Sequence, residues 1–425
     1  MTSKVKRLAL AALIAAMALS GRAAGAGLEA TEVGATPGLK VTVTSPGVYR
    51  AVVSQATGGG ITEFYDLASD PTAKMNLAGS DRGLLEVGWH GASRPDPDPS
   101  LGDYGKPPSG SYGCRDWPSA GHKALKAEGE LAVIERSPAR VRIQAKSVFT
   151  FWSNFADRNM PVAATYTFYP AGQIVVQVRV QKAEREFKWS TEYGPHLFFP
   201  APKDKPEANP CYVFSTPKVS EVKDGSFSPS EELVMAASEK VKATFLLTIP
   251  AEQHALFDRH MRHDGRSVGW DRCGYGSGGI MMKPGYDSTW ACLIQMGADG
   301  SSAAPQIRAA KDALPYAMQY RAPAKVTDAQ LVRDEAGDFN KDGFNESEGC
   351  HVLQAAGPIS LTYERGTGAG FAPAFKVLGW KGEAPQHAKV DGKQVPAASG
   401  VVDGTLVIQI LGRIEGERAK IEIGK

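Results

Sequence analysis

The chain lacks most of the devices that disclose a reaction. It holds 5 cysteines in 425 residues, at positions 114, 211, 273, 292 and 350, and no C-x-x-C pair. That spacing excludes zinc-ribbon and thioredoxin-type chemistry. A P-loop, a dinucleotide fingerprint after a strand, a G-x-S-x-G elbow and H-E-x-x-H are all missing. Gly274 to Gly279 is glycine-rich but has no following Lys-Ser/Thr, so nucleotide chemistry is not expected. Neither charge dominates: Lys+Arg number 48 against Asp+Glu 46, a formal net charge of +2. Such a chain has no electrostatic footprint for nucleic acid or an anionic membrane. After the first 26 residues no apolar run is long enough for a membrane span, and no repeat of 20 to 50 residues argues for a solenoid or propeller.

What is present begins with a leader. Lys4, Lys6 and Arg7 precede an unbroken apolar stretch from Leu8 to Leu19, and Ala24-Gly25-Ala26 fits an A-x-A cleavage site. That order predicts a signal peptide over 1–26 and a secreted or periplasmic protein. About twelve apolar residues are too few for a bilayer that needs roughly 20, so a membrane anchor and membrane insertion are not expected. The leader carries Lys4, Lys6, Arg7 and Arg22 and no acid, which leaves the remainder at a formal −2. An oxidising compartment permits at most two disulfides among five cysteines. Cys273 and Cys292 flank a Gly-rich segment and are the first pair expected; five buried free thiols are the alternative.

Gly 46 and Pro 28 favour turns and short strands over long helices. Alternating runs appear at Leu39–Ser45, Tyr49–Ser54 and Ile61–Tyr65. Hairpins are predicted for Glu130–Glu135 with Ala139–Gln144, and for Ala163–Tyr169 with Ile174–Val180. A short helix is expected over Ala251–Arg262. Arg94–Pro118 and Pro200–Pro210 read as long loops. Strand patterns return at Cys350–Leu353, Ile359–Tyr363, Ala374–Leu378, Thr405–Leu411 and Ala419–Ile423. The expected fold is all-β: a large antiparallel β-supersandwich over 27–325, a linker with an acidic loop over 326–354, and a smaller C-terminal β-sandwich over 355–425.

The phrase Gly59-Gly-Ile-Thr-Glu-Phe-Tyr-Asp-Leu67, followed by Asn76-Leu77, resembles the opening hairpin of galactose-mutarotase-like supersandwich domains. The C-terminal run resembles the small β-sandwich appended to many secreted carbohydrate-active enzymes. These resemblances imply a polysaccharide or oligosaccharide partner, with lyase-type elimination preferred over hydrolysis and a non-catalytic sugar-binding or cell-envelope protein as the alternative. The mutarotase catalytic histidines and glutamate have no matching motif here, so no catalytic residue is carried over.

Four groups of residues could carry chemistry. In Asp338-Phe-Asn340-Lys-Asp342-Gly343-Phe344-Asn345-Glu346, side-chain oxygens at 338, 340, 342 and 346 and the Phe344 carbonyl can converge on a hard cation. The segment resembles the calcium loops of dockerin and integrin-type repeats, although position 12 is Gly349 and Glu348 sits one place early. A structural calcium ion is the expectation, and a solvated acidic turn is the alternative. Tyr193 and His196, near Glu192, could supply an acid and a base, or could simply pack at a strand end. His260 and His263 at i, i+3 could share a helix face and bind a metal or orient a substrate, while Arg266 and Arg272 could neutralise a uronate and Trp270 and Tyr275 could stack on a sugar. A polar loop after a short helix is the other reading. Trp89, His90 and Trp117 beside the long 94–118 loop suit a sugar cleft as well as they suit a core.

Overall fold

In the computed structural model the described residues are 27–36, 38–78, 83–90, 110–112, 129–150, 159–181, 187–189, 191–200, 211–215, 218–221, 225–227, 233–238, 243–257, 259–263, 267–273, 280–282, 284–296, 320–365 and 370–424. They form an all-β protein. Among them no helix is long and apolar enough to cross a membrane.

The alternating runs become strands where they were expected. Lys40–Ser45 pairs with Tyr49–Ser54, which pairs with Gly60–Asp66, and Glu29–Val33 completes a four-stranded sheet. Asn76 staples this hairpin: its Oδ1 accepts the Phe64 N–H at 2.9 Å and its Nδ2 donates to the Thr62 carbonyl at 3.1 Å. Both predicted hairpins lie side by side in a nine-stranded antiparallel sheet. Asp287–Met296 and Ala243–Thr248 continue it on the other side. A six-stranded sheet follows the order Gly225–Phe227, Arg259–His263, Ser267–Cys273, Thr191–Phe198, Leu85–His90, Gly110–Tyr112.

One apolar core joins these sheets. Val41, Val53 and Phe64 come from the four-stranded sheet, Leu85, Leu197 and Trp270 from the six-stranded one, and Ile143, Val176 and Trp290 from the nine-stranded one. The run Ile174-Val175-Val176 has no polar alternation because its strand is covered on both faces. Ile174 and Val176 enter this core, whereas Val175 points the other way into a second cluster with Tyr169, Leu293, Phe344 and Cys350.

That second cluster is the seam with the C-terminal unit. There Lys325–Thr327, Ile359–Glu364, Arg418–Ile423 and His387–Val390 form one layer, and Thr405–Ile410, Ala374–Leu378, Cys350–Gln354 and Phe344–Asn345 the other. The long Lys393–Val402 strand belongs to both layers: its first residues pair with His387–Val390, and Ala397–Val402 pair with Thr405–Ile410. Leu361, Tyr363 and Ile421 meet Phe375, Val377 and Ile408 between the layers. The stretch 326–354, expected as a linker, contributes to three strands of this unit, Lys325–Thr327, Phe344–Asn345 and Cys350–Gln354.

Two further expectations are corrected. Ala251–Leu256 is a 3-10 turn, and Arg259–His263 is a strand rather than the end of a helix. Hydrogen bonding to Ser267–Cys273 overrides the weak helical pattern. Cys292 is a free, buried thiol, so the expected Cys273–Cys292 disulfide is not formed. Its position on a central strand, opposite Val176, packs it into the sandwich core.

Candidate functional site

The acidic loop starts from backbone geometry. Gly343 has φ +94°, and a Cβ there would lie 2.8 Å from Leu331 Cδ2, so only glycine fits the turn. The turn folds the carboxylates inward onto N–H groups. Asp338 Oδ2 accepts the Gly343 N–H at 2.9 Å, Asp342 Oδ1 that of Phe344 at 2.7 Å, and Glu346 Oε2 that of Phe339 at 2.8 Å. Asn340 Oδ1 accepts the Asp342 N–H at 2.9 Å. Oxygens of Asp338, Asp342 and Glu346 all lie within 4.8 Å of one another. Phe344 opens a strand opposite His351, with its ring buried between Tyr320 and His351.

Glu346 is the odd member. It is 0% exposed, and its Oε1 has no hydrogen-bond partner. Burial pushes its carboxyl up to about 8, with the charges of Glu252 and Asp342 adding to the rise. Burial likewise raises Asp342, with Asp338 and Glu252 contributing. The donor set is all oxygen, which suits a hard divalent cation.

Glu348, set aside as a ligand in the sequence, belongs to a different construction. It receives Arg140 Nη1 at 2.6 Å, Arg142 Nη1 at 3.1 Å and Lys376 Nζ at 3.3 Å. Arg140 also grips Glu135 at 2.6 Å, and Lys376 grips Glu335 at 2.8 Å. Burial alone would raise the Glu348 carboxyl, but these cations outweigh it and hold it at about 2. Tyr169 donates its hydroxyl to the Glu348 carbonyl at 2.7 Å. This network bridges the two units across the seam. No sequence spacing announces it, since Arg140 and Glu348 stand 208 positions apart.

The remaining candidates gather on the six-stranded sheet. Thr191–Phe198 lies between Leu85–His90 and Ser267–Cys273. In register, Glu192 opposes Trp89 and Cys273, Thr191 opposes His90, and Tyr193 opposes Gly88 and Asp271. Tyr193 therefore sits beside the Asp271-Arg272 step, and His260 opposes Trp270. His196 opposes Gly269 across a bulge. A Cβ at 269 would come within 2.0 Å of the Pro195 carbonyl, so the close approach requires glycine.

Register also separates some groups. His263 opposes Ser267, and positions three apart fall on opposite sides of a strand, so the helix-face pairing of His260 and His263 does not arise. Trp270 is 3% exposed and packs in the sandwich core, which is a core role rather than a stacking platform. His196 is also buried, at 3%. Arg266, Tyr275 and Trp117 lie outside the described residues, as do Cys114 and nearly all of the 94–118 loop. An approach of His196 to the side chain of Arg266 or Arg272, which the sugar-compatible content of the two segments suggests, depends on Arg266 and on the Arg272 side chain, both outside what is described.

No protein-family model and no curated protein matches the chain. Among solved structures it is similar to a galactose 1-epimerase from Lactobacillus acidophilus NCFM, at 8% identity and TM-score 0.37 over 64% of this chain and 98% of that one. It is similar to a polysaccharide lyase at 8% identity and TM-score 0.29, over 94% of this chain and 46% of that one. A TPR-domain containing protein from Parabacteroides distasonis ATCC 8503 is similar at 6% identity and TM-score 0.37, over 66% of this chain and 54% of that one. The chain thus matches about half the length of the last two.

Proposed function

We propose that this is an exported carbohydrate-active protein acting on a polysaccharide or oligosaccharide, by lyase-type β-elimination in preference to hydrolysis. The observation that carries the reading is the register of the six-stranded sheet. It brings Trp89, His90, Glu192, Tyr193, His260, Asp271 and Arg272 onto four neighbouring strands. A phenol, carboxylates, imidazoles and a guanidinium on one sheet are the groups that elimination from a uronate uses. A base, Tyr193 in preference to the buried His196, takes the proton α to the uronate carboxylate. The C–H electron pair forms the C=C bond, the β C–O bond breaks, and the departing oxygen takes up a proton. Arg266 or Arg272 offsets the charge that develops on the carboxylate.

The reading includes a calcium ion, structural rather than catalytic, held by Asp338, Asn340, Asp342, the Phe344 carbonyl and Glu346. The unpartnered, fully buried Glu346 Oε1 supports it, because a buried carboxylate oxygen without a donor calls for a cation.

The test is incubation of the mature protein with a panel of uronic and neutral polysaccharides. New ultraviolet absorbance from unsaturated ends is the expected result. Reducing ends without absorbance would replace elimination by hydrolysis, and no affinity for any member of the panel would overturn the reading. Non-catalytic sugar binding is the second reading, favoured by one observation: His196 and Trp270 are withdrawn into the core.

A further inference from the structure

Glu252 stands 88 positions before Asn340 of the acidic loop, in the 3-10 turn Ala251–Leu256 of the first unit. Its Oε1 nevertheless accepts a hydrogen bond from Asn340 Nδ2 at 2.8 Å, and the same amide nitrogen lies 3.2 Å from Asp342 Oδ2. Carboxylate oxygens of Asp338, Asp342 and Glu346 lie within 4.8 Å of one another, and Glu252, outside that set, is tied to its edge through the shared Asn340 amide. Among the described residues none of the four is ion-paired, although the seam beside them is rich in ion pairs. The loop alone offers five oxygen-bearing groups, whereas calcium collects about 6–8 oxygens. The position where a longer loop would place its closing carboxylate is taken by Gly349. The orphaned Glu346 Oε1, fully buried within the set, shows on which side a cation is wanted.

We infer that Glu252 completes the coordination shell of the calcium ion, so that the metal pins the Ala251–Leu256 turn of the first unit to the C-terminal unit. This deepens the calcium reading above and rests on it. The turn is already held at its other side. Gln253, buried, donates to the Thr289 carbonyl at 3.2 Å and accepts the Ala291 N–H at 2.9 Å, both on the central Asp287–Met296 strand. Immediately beyond the turn, Arg259–His263 enters the six-stranded sheet that carries the candidate catalytic groups. The ion thus fixes the lead-in to that strand as well as the seam.

The test is calorimetric titration of calcium chloride into the metal-stripped full chain, comparing the parent with Glu252→Gln, Glu346→Gln and Glu29→Gln. The last removes one exposed charge on the Glu29–Val33 strand of the four-stranded sheet and is expected to bind like the parent. Glu252→Gln is expected to weaken binding by about tenfold or more, and Glu346→Gln by more still. Calcium should slow hydrogen exchange across 251–263 in the parent and not in Glu252→Gln. Matching circular dichroism and metal-free melting of Glu252→Gln and parent establish that the variant folds. If Glu252→Gln binds and protects like the parent, the role of Glu252 is overturned while the loop site stands. If the parent itself takes up no calcium, the calcium reading falls and the inference with it.

Discussion

Glu346 and Glu348 are two residues apart, both buried, and their surroundings are opposite. Around Glu348 three cations converge from two units, and its carboxyl is held at about 2. Around Glu346 the neighbours are other carboxylates, one oxygen has no donor, and its carboxyl rises to about 8. Burial raises both carboxyls to begin with, so burial does not distinguish them. The difference lies in what each side of the seam supplies. The nine-stranded sheet contributes Arg140 and Arg142 to one, and the 3-10 turn contributes Glu252 to the other. One carboxyl is neutralised by protein cations, and the other has no ion-pair partner among the described residues.

The comparison breaks most severely at Glu348. Glu348→Gln would leave Arg140, 1% exposed, with Glu135 alone, and should cost about 3–5 kcal/mol in urea unfolding. A loss under about 1 kcal/mol would mean that the network contributes little to holding the seam.

Acid should weaken the same unit through a third buried group. His351 is enclosed by Phe344, Tyr363 and Phe375, its Nε2 has no partner, and burial holds its imidazole down at about 3. The unfolded chain binds a proton below its ordinary value of about 6.5, and the folded one does so only near 3. Stability contributed by neutral His351 is therefore complete above that ordinary value and is lost as pH falls across the interval. The loss should be on the order of 3 kcal/mol by pH 4. Unfolding curves between pH 7 and pH 4 should show the slope, and His351→Phe should flatten it.

Glu346→Gln inverts the Glu348 result. It keeps an acceptor for the Phe339 N–H and replaces a carboxyl that burial already holds mostly protonated at neutral pH, so the calcium-free protein should stay within about 1 kcal/mol of the parent. The variant should also lose any rise in melting temperature on adding calcium. A large destabilisation in the absence of metal would put Glu346 in the same class as Glu348. The smallest effect belongs to Tyr169→Phe, which deletes the hydroxyl donated to the Glu348 carbonyl and should cost about 1 kcal/mol in the same unfolding assay.

The strands were legible because alternation and turn residues are local. Lys40–Ser45, Tyr49–Ser54, both hairpins and five strands of the C-terminal unit stand where the pattern put them. The convergence of the acidic loop's carboxylates was legible for the same reason, since Asp338, Asp342 and Glu346 stand within nine residues. Arg259–His263 misled because its pairing partner, not its own pattern, decides its state. Cys292 misled because chain proximity to Cys273 says nothing about which sheet each one joins. The Glu348 network and Glu252 were illegible. Their partners lie 208 and 88 positions away, and an isolated Arg140 or Glu252 looks like any surface charge. Tyr193, His260 and Arg272 were chosen as residue types, and only the register set them on neighbouring strands.

The seam also fixes an order of events during synthesis. Its contacts span 170 positions from Gln177 to Ser347, 208 from Arg140 to Glu348, and 238 from Ala171 to the Gln409 side chain. At roughly 5–20 residues per second, Arg140 leaves the ribosome about 10–40 s before Glu348 exists. Through that interval Glu135, five positions away, is the acid available to it, and both charges can remain hydrated. The outer face of the central strands, with Tyr169, Val175 and Leu293, stays wet until Phe344 and Cys350 have been made. Docking of the second unit is thus the step that dries this surface, and a chain cut short before residue 348 would present it permanently to other proteins.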